Sequence, residues 1–218
     1  MESVAFYILM STINSIAPVI LAAGDSTRMG YPKALLPLGN DLFINCILKT
    51  VQKVGFSEPT VILGKSAAII EPHIADFGVK ILINPDPDRG QLSSIQIALT
   101  NLGPEFDAAL IWPVDIPAAP EDLVRRLTEL FINSGALISF PVCGDKRGHP
   151  AIFHHFLFQE FMNAPLAEGP KKILLRHERE TSMLAVQESA SIKDIDTPSD
   201  YEELTGETLD SALARRRA

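Results

Sequence analysis

The stretch PVILAAGDSTRMGYPKALLPLG, residues 18–39, decides how this chain is read. APVILAA (17–23) is a short apolar run bounded by turn signals, the pattern of a strand buried on both faces. The loop that follows is too rich in special residues for a simple turn. Gly24 and Gly30 let backbone approach a ligand and turn its N–H groups inward. Ser26 and Thr27 add hydroxyl donors, Arg28 a planar fork, and Lys33 a compact charge. Directly after a buried strand, this coincidence reads as an anion cradle rather than a surface loop with two incidental cations. It is not a P-loop, because Gly30 is followed by Tyr31 and Pro32, with lysine only at 33. Nor does the chain contain the dinucleotide fingerprint G-x-G-x-x-G.

Outward from this loop, apolar strands alternate with amphipathic segments. PTVILG (59–64), VKILIN (79–84), DAALIWPV (107–114) and GALISFPV (135–142) read as strands. LFINCILKTVQKV places Phe43, Ile47, Val51 and Val54 at helical spacing. A helix around AAIIEPHIADF is interrupted by Pro72. LSSIQIALTNL and PEDLVRRLTELFI read as helices, the second with Pro120 at its first position and Glu121 and Asp122 complementing the positive helix start. After a polar hairpin, CGDKRGHP, come AIF and HHFLFQEFM as strand and helix, PKKILLRH as helix, and TSMLAVQ and SIKDID as late strands. Thr197, Pro198 and Asp200 form a capping-box start for a final helix. The alternation predicts an α/β fold: a Rossmann-like three-layer α/β/α sandwich with a mostly parallel sheet. Ligands bind such sheets at the carboxyl ends of the strands, near the point where strand order reverses. The informative residues are therefore those just after strands.

Composition bounds the alternatives. The 218 residues suit one domain with a full core, and 46% hydrophobic with 21% charged residues is ordinary for a globular protein. A net charge of −8 argues against a nucleic-acid partner but leaves an anionic small molecule open. Cys46 and Cys143 lack metal-type spacing and read as buried thiols of a reducing cytoplasm. VAFYILM, near the start, is too short to span a bilayer and lacks a basic flank, so neither a membrane anchor nor a secretory signal is expected. Residues 1–16 read as a flexible extension, with Met10 an alternative start. Residues 17–205 form the domain and 206–218 a tail that frays or caps a helix.

The first signature also carries a resemblance. LAAGDSTRMGYPKAL meets every specified position of L-A-[AG]-G-x-S-x-R-M-G-x-x-K-x-L, from Leu21 to Leu35. This is similar to the nucleotidyltransferases of the molybdenum cofactor type, the MobA-like NTP transferases. WPVDIPAAP, RGHPAIF and DIDTPSDYEEL resemble that family's second signature, acceptor-side loop and closing motif. EGPKKILLRH is a weaker match to its G-x-x-x-L-L helix. The resemblance extends from Val19 to Leu204.

It implies nucleotidyl transfer: a phosphorylated acceptor attacks the α-phosphorus of a nucleoside triphosphate and pyrophosphate leaves. Asp115 and Asp196 are the expected Mg²⁺ ligands, with Asp194 competing for the second position. Arg28 and Lys33 would hold the outer phosphates and stabilise the leaving group, with Lys33, Arg28 and Asp115 as the catalytic set. Backbone from Leu21 through Ala22 and Ala23 to Gly24, together with Ser26, would meet the nucleotide, joined by Asn84, Gly90, Ser93 and Ser94. Ser93 and Ser94 serve equally well as ordinary helix caps. Arg147, Gly148 and His149 fall in the acceptor loop, where His149 contacts the acceptor or shapes the loop. Members carrying L-A-A-G tend to use CTP, which points to CTP and molybdopterin as substrates and to a recipient molybdoenzyme or its chaperone as partner. A sugar-phosphate nucleotidyltransferase is the nearer alternative. A non-catalytic nucleotide-binding or cofactor-delivery protein is the alternative of another class.

Overall fold

The computed structural model describes residues 13–187 and 192–217. Strand β1 (Ile16–Ala22) is buried along its whole length. It pairs in parallel with β4 (Thr60–Leu63) on one side and β6 (Ala108–Pro113) on the other. β5 (Lys80–Ile83) continues the sheet beyond β4, again in parallel. Beyond β6 lie β9 (Ala151–His154), antiparallel to both its neighbours, then β7 (Ile138–Cys143), then β10 (Thr181–Ala185), parallel to β7. The path is β5–β4–β1–β6–β9–β7–β10, with β8 (Lys146–Arg147) hairpinned onto β7. A two-stranded ribbon, β2 (Pro37–Leu38) and β3 (Asp41–Leu42), stands apart.

Side chains alternate between two cores. Ile16, Ile20 and Ala22 of β1 enter one, while Val19 and Leu21, followed by Ala23, enter the other. The first core is closed by α1 (Phe43–Val54) and α4 (Glu121–Ser134) through residues such as Ile47, Val51, Leu127 and Phe131. The second is closed by α3 (Gln91–Thr100), α5 (Phe158–Asn163) and α6 (Gly169–Arg176) through Ile95, Phe161 and Ile173. A short helix, α2 (Ala67–Ile70), breaks into 3-10 turns at Pro72, as the sequence predicts. Helices on both faces explain why the central strands are continuously apolar.

Several local expectations are corrected. Pro120 is the cap residue of α4, with extended backbone, and Glu121 opens the helix. β7 begins at Ile138, three residues after the expected start. Residues 192–196 form no strand; that segment is held instead by hydrogen bonds described below. The capping box is present: Thr197 accepts from Asp200 N–H, Asp200 accepts from Thr197 N–H, and Pro198 opens α7 (Pro198–Thr205). The expected tail is helical as α8 (Leu209–Arg217), docked through buried Leu209 and Ala212. At the other end, Ile13 and Ile16 are core residues, while residues 1–12 lie outside the described residues. Cys46 and Cys143 are free and only half-buried; burial, then the charge of Asp41, pushes the Cys46 thiol up to about 11.

Candidate active site

Strand order reverses beside β1: the chain builds β4 and β5 to one side and β6 to the other. The crevice at the carboxyl ends of β1 and β6 is the switch point where sheets of this kind bind ligands.

The loop leaving β1 is folded by Ser26, whose backbone sits in the left-handed region at φ 53°. Its carbonyl accepts from Met29 N–H and Gly30 N–H at 3.0 Å each, and its hydroxyl accepts from Lys33 N–H at 3.1 Å. Met29 is buried in the core, which anchors the loop and leaves Arg28 outside, 67% exposed. A 3-10 turn, Lys33–Leu35, buries Ala34 and Leu35 and turns the Lys33 side chain inward, where it is only 12% exposed.

Two aspartates meet that lysine. Lys33 Nζ lies 3.2 Å from Asp115 Oδ2 and 2.5 Å from Asp196 Oδ1, while Arg28 reaches Asp196 Oδ2 at 2.9 Å. Asp115 follows β6 in a tight turn. Val114 N–H donates to the Leu21 carbonyl at 3.0 Å, and the Trp112 indole donates to the Ile116 carbonyl at 2.8 Å. Ile195 N–H donates to the Asp115 carbonyl at 2.9 Å, which brings the next residue, Asp196, alongside. The capping carboxylate of Asp200 also accepts from Asp196 N–H at 3.2 Å. Burial opposes ionisation of Asp196, but Lys33 and then Arg28 outweigh it and hold its carboxyl below the usual range. Asp194 has the opposite balance: burial, then the charges of Asp115 and Asp196, raise it despite Lys33. Asp194 borders a different cavity, whereas Asp196 contacts Lys33 directly.

Two adjoining cavities open here. One of about 260 Å³ is walled by Gly24, Ser26, Thr27, Arg28, Lys33, Asp115 and Asp196. The other, about 190 Å³, is walled by Ala23, Pro87, Gly90, Gln91, Ser94 and Pro113; both share Leu21, Gly24 and Asp115. Of the expected nucleotide residues, Leu21, Ala23, Gly24, Ser26, Arg28, Lys33, Gly90 and Ser94 therefore converge. Ala22 packs into the opposite core. Asn84 and Ser93 stand behind the wall. The buried Asn84 amide donates to Ser93 Oγ at 2.8 Å and Ser94 Oγ at 2.9 Å, and its oxygen accepts from Asp86 N–H. They support the cavity rather than face it.

Arg147 and Gly148 are not drawn into the Lys33 cluster, whereas His149 lies near enough to Asp115 to feel its charge. Arg147 pairs with Glu178 at 3.1 Å, lies over the Phe140 ring, and borders a separate cavity of about 490 Å³ with Lys146, Ile192, Lys193, Asp194 and Glu203. Gly148 packs so closely on Ile192 that a Cβ would lie 2.5 Å from its Cβ. His149 buries its Nδ1 without a hydrogen-bond partner among the described residues, and burial lowers its basicity.

Pro87, Pro113 and Val114 line the site without having been anticipated, and the close packing of Gly64 on Ala23 was not anticipated either. The only sequence signal at Gly64 is its place at the end of a strand. A Cβ on Gly64 would lie 2.3 Å from the Ala23 carbonyl oxygen, a backbone atom. Gly64→Ala must displace the end of β1 just before Gly24. A loss of about 1–3 kcal/mol is expected in thermal or urea unfolding, the range for overpacking a close contact.

The four charges Arg28, Lys33, Asp115 and Asp196 cancel one another. A polyphosphate entering here would engage the two cations and leave two carboxylates that a divalent cation could satisfy. Among the described residues no group of three or more His, Cys, Asp or Glu is arranged to hold a metal. Two carboxylate oxygens with substrate phosphates suit a hard cation such as Mg²⁺, which commonly binds through one or two carboxylates. Among the described residues no helix is long and apolar enough to cross a membrane.

Comparison with known proteins bears on the fold and the family. Residues 18–181 match the MobA-like NTP transferase domain. The chain is 25% identical over 190 residues to the molybdenum cofactor cytidylyltransferase of Escherichia coli K12, covering 87% of this chain and 95% of that protein. It is 34% identical over 128 residues to a probable molybdenum cofactor guanylyltransferase of Methanothermobacter thermautotrophicus, covering 58% and 62%. A crystal structure from Mycobacterium tuberculosis H37Rv superposes with a TM-score of 0.78 at 28% identity, covering 88% of this chain and 97% of that one. A manganese complex from the same organism superposes with a TM-score of 0.74 at 26% identity, covering 88% and 99%.

Proposed function

Because the chain belongs to the MobA-like NTP transferase family, we propose that it transfers a cytidylyl group from CTP to the phosphate of molybdopterin, releasing pyrophosphate. The observation that carries this reading is the convergence of Lys33, Arg28, Asp115 and Asp196 beneath the glycine loop. All the reacting groups are anionic, and the leaving pyrophosphate gains charge as the bond breaks. Charge neutralisation is therefore the main catalytic requirement. Lys33 and Arg28 bind the outer phosphates and stabilise the departing oxygen. Asp115 and Asp196 would hold Mg²⁺, which supplies Lewis-acid neutralisation of the phosphate oxygens. The acceptor phosphate is already an anion at neutral pH, so its oxygen attacks without a dedicated base on this chain.

Cytidine is favoured over guanosine by Ala23, whose position forms part of the smaller cavity's wall. A methyl there takes room that glycine would leave beside the base. The relatives include enzymes named for both nucleotides, so the choice rests on this contact. The test is pyrophosphate release from CTP, GTP, UTP and ATP with Mg²⁺ and molybdopterin. CTP is expected to give the highest kcat/KM. Preference for GTP or UTP would overturn the cytidylyl assignment, and no release from any nucleotide would overturn the enzymatic one.

A further inference from the structure

The anion cradle carries its own anion. Asp25 lies between Gly24 and Ser26, both of which wall the larger cavity, on the same turn as Arg28. Unopposed, its carboxylate would cancel one unit of the positive field that Arg28 and Lys33 present to a polyphosphate. The structure turns that carboxylate toward the end of β4. There Lys65 Nζ lies 2.5 Å from Asp25 Oδ2 and 3.1 Å from Asp88 Oδ2. Asp88 belongs to the facing wall: its turn, Pro87–Arg89, sits between Asp86, tied to Asn84, and Gly90 at the start of α3. Pro87 and Gly90 wall the smaller cavity. Lys65 therefore stands between the carboxylates of two loops that enclose the same site. These partners, Asp25 foremost, also hold its ammonium above the usual lysine range.

We propose that Lys65 is a positioning residue that neutralises Asp25 and ties the phosphate loop to the Pro87–Gly90 turn, making an acid-bearing loop competent for a nucleoside triphosphate. This rests on the reading of the site as nucleotide-binding. Lys65 itself touches no reacting atom. Its two partners come from positions 40 residues before and 23 residues after it, so no local pattern announces it.

The test separates countercharge from mere structural support. Wild type, Lys65→Ala, Lys65→Arg and the double variant Lys65→Ala/Asp25→Asn are titrated with sodium tripolyphosphate and Mg²⁺ by calorimetry. The same proteins are assayed for KM and kcat with CTP. Lys65→Ala is expected to weaken tripolyphosphate binding and raise the CTP KM about tenfold, the effect of one uncompensated charge several ångströms from a polyanion. Its kcat stays within about twofold, because the Lys33 cluster is intact. Lys65→Arg retains binding, and removing the Asp25 charge restores the double variant to within about twofold of wild type. Unchanged binding in Lys65→Ala overturns the proposal, as does a loss that Asp25→Asn fails to rescue. If wild type binds tripolyphosphate but transfers no nucleotide, the enzymatic reading fails and Lys65 is judged on the calorimetry alone. If wild type binds no tripolyphosphate, both fall.

Discussion

Asp115→Ala is expected to lower kcat by several hundredfold, with the fold intact. The carboxylate is 28% exposed, and its partner Lys33 keeps Asp196 at 2.5 Å, so little of the core depends on it. Its turn is held by backbone and by the Trp112 indole, none of which needs the side chain. What is lost is one of the two oxygen donors for the divalent cation. Removing one preorganised electrostatic group from an anionic transition state costs about 3–4 kcal/mol, which is a factor of about 150 to 900. Asp115→Asn should recover little, because it keeps the shape and removes the charge. The measurement is single-turnover transfer with saturating nucleotide, with circular dichroism and thermal melting as folding controls. Turnover within a few-fold of wild type would refute the mechanism.

Lys33→Met is expected to lower kcat by a few hundredfold and to change how stability depends on pH. In wild type, burial opposes the Asp196 charge, and Lys33 with Arg28 overcomes it. A group whose carboxyl is depressed on folding adds stability that is present above its unfolded value, about 3.9 for aspartate, and is lost as pH falls through the folded value. Without Lys33, Asp196 keeps only the exposed Arg28 and faces Asp115 as a like charge. The methionine variant should therefore be less stable than wild type near neutrality, with the gap closing as pH falls below about 4. Chemical denaturation with a chelator present, at a series of pH values, measures this directly. A gap that is constant with pH would show that Lys33 does not hold the Asp196 charge.

Much of this site could be read before any coordinates. The span from Leu21 to Leu35 announces itself because a buried strand, permissive glycines and two cations fall within one turn, where sterics are local. Asp115 is legible as the polar residue that ends an apolar strand, and the Thr197 capping box is visible because its partners are three residues apart. Residues 192–196 were harder. Their alternation suggests a strand, yet they enter no described ladder and are held by two backbone hydrogen bonds, Ile195 N–H to the Asp115 carbonyl and Asp196 N–H to the Asp200 carboxylate. Those bonds set Asp196 against Lys33, while Asp194 borders the cavity beside Lys193. Asn84 and Ser93 were expected to face a ligand. Their polar groups instead satisfy one another, a choice that depends on how α3 docks and not on residue type.

The sequence by itself determined the alternation of strands and helices, the phosphate-type loop after β1 and the identity of the charges available. Each of these follows from periodicity or from backbone sterics over a few residues. Tertiary structure alone decided that Lys33 meets carboxylates 82 and 163 residues further along, that Arg147 and Gly148 stand apart from them, and that Lys65 answers Asp25. Those pairings are set by the order in which strands enter the sheet and by which loop ends at each edge. Strand order reflects the packing of two whole cores, a quantity that no short window of residues contains.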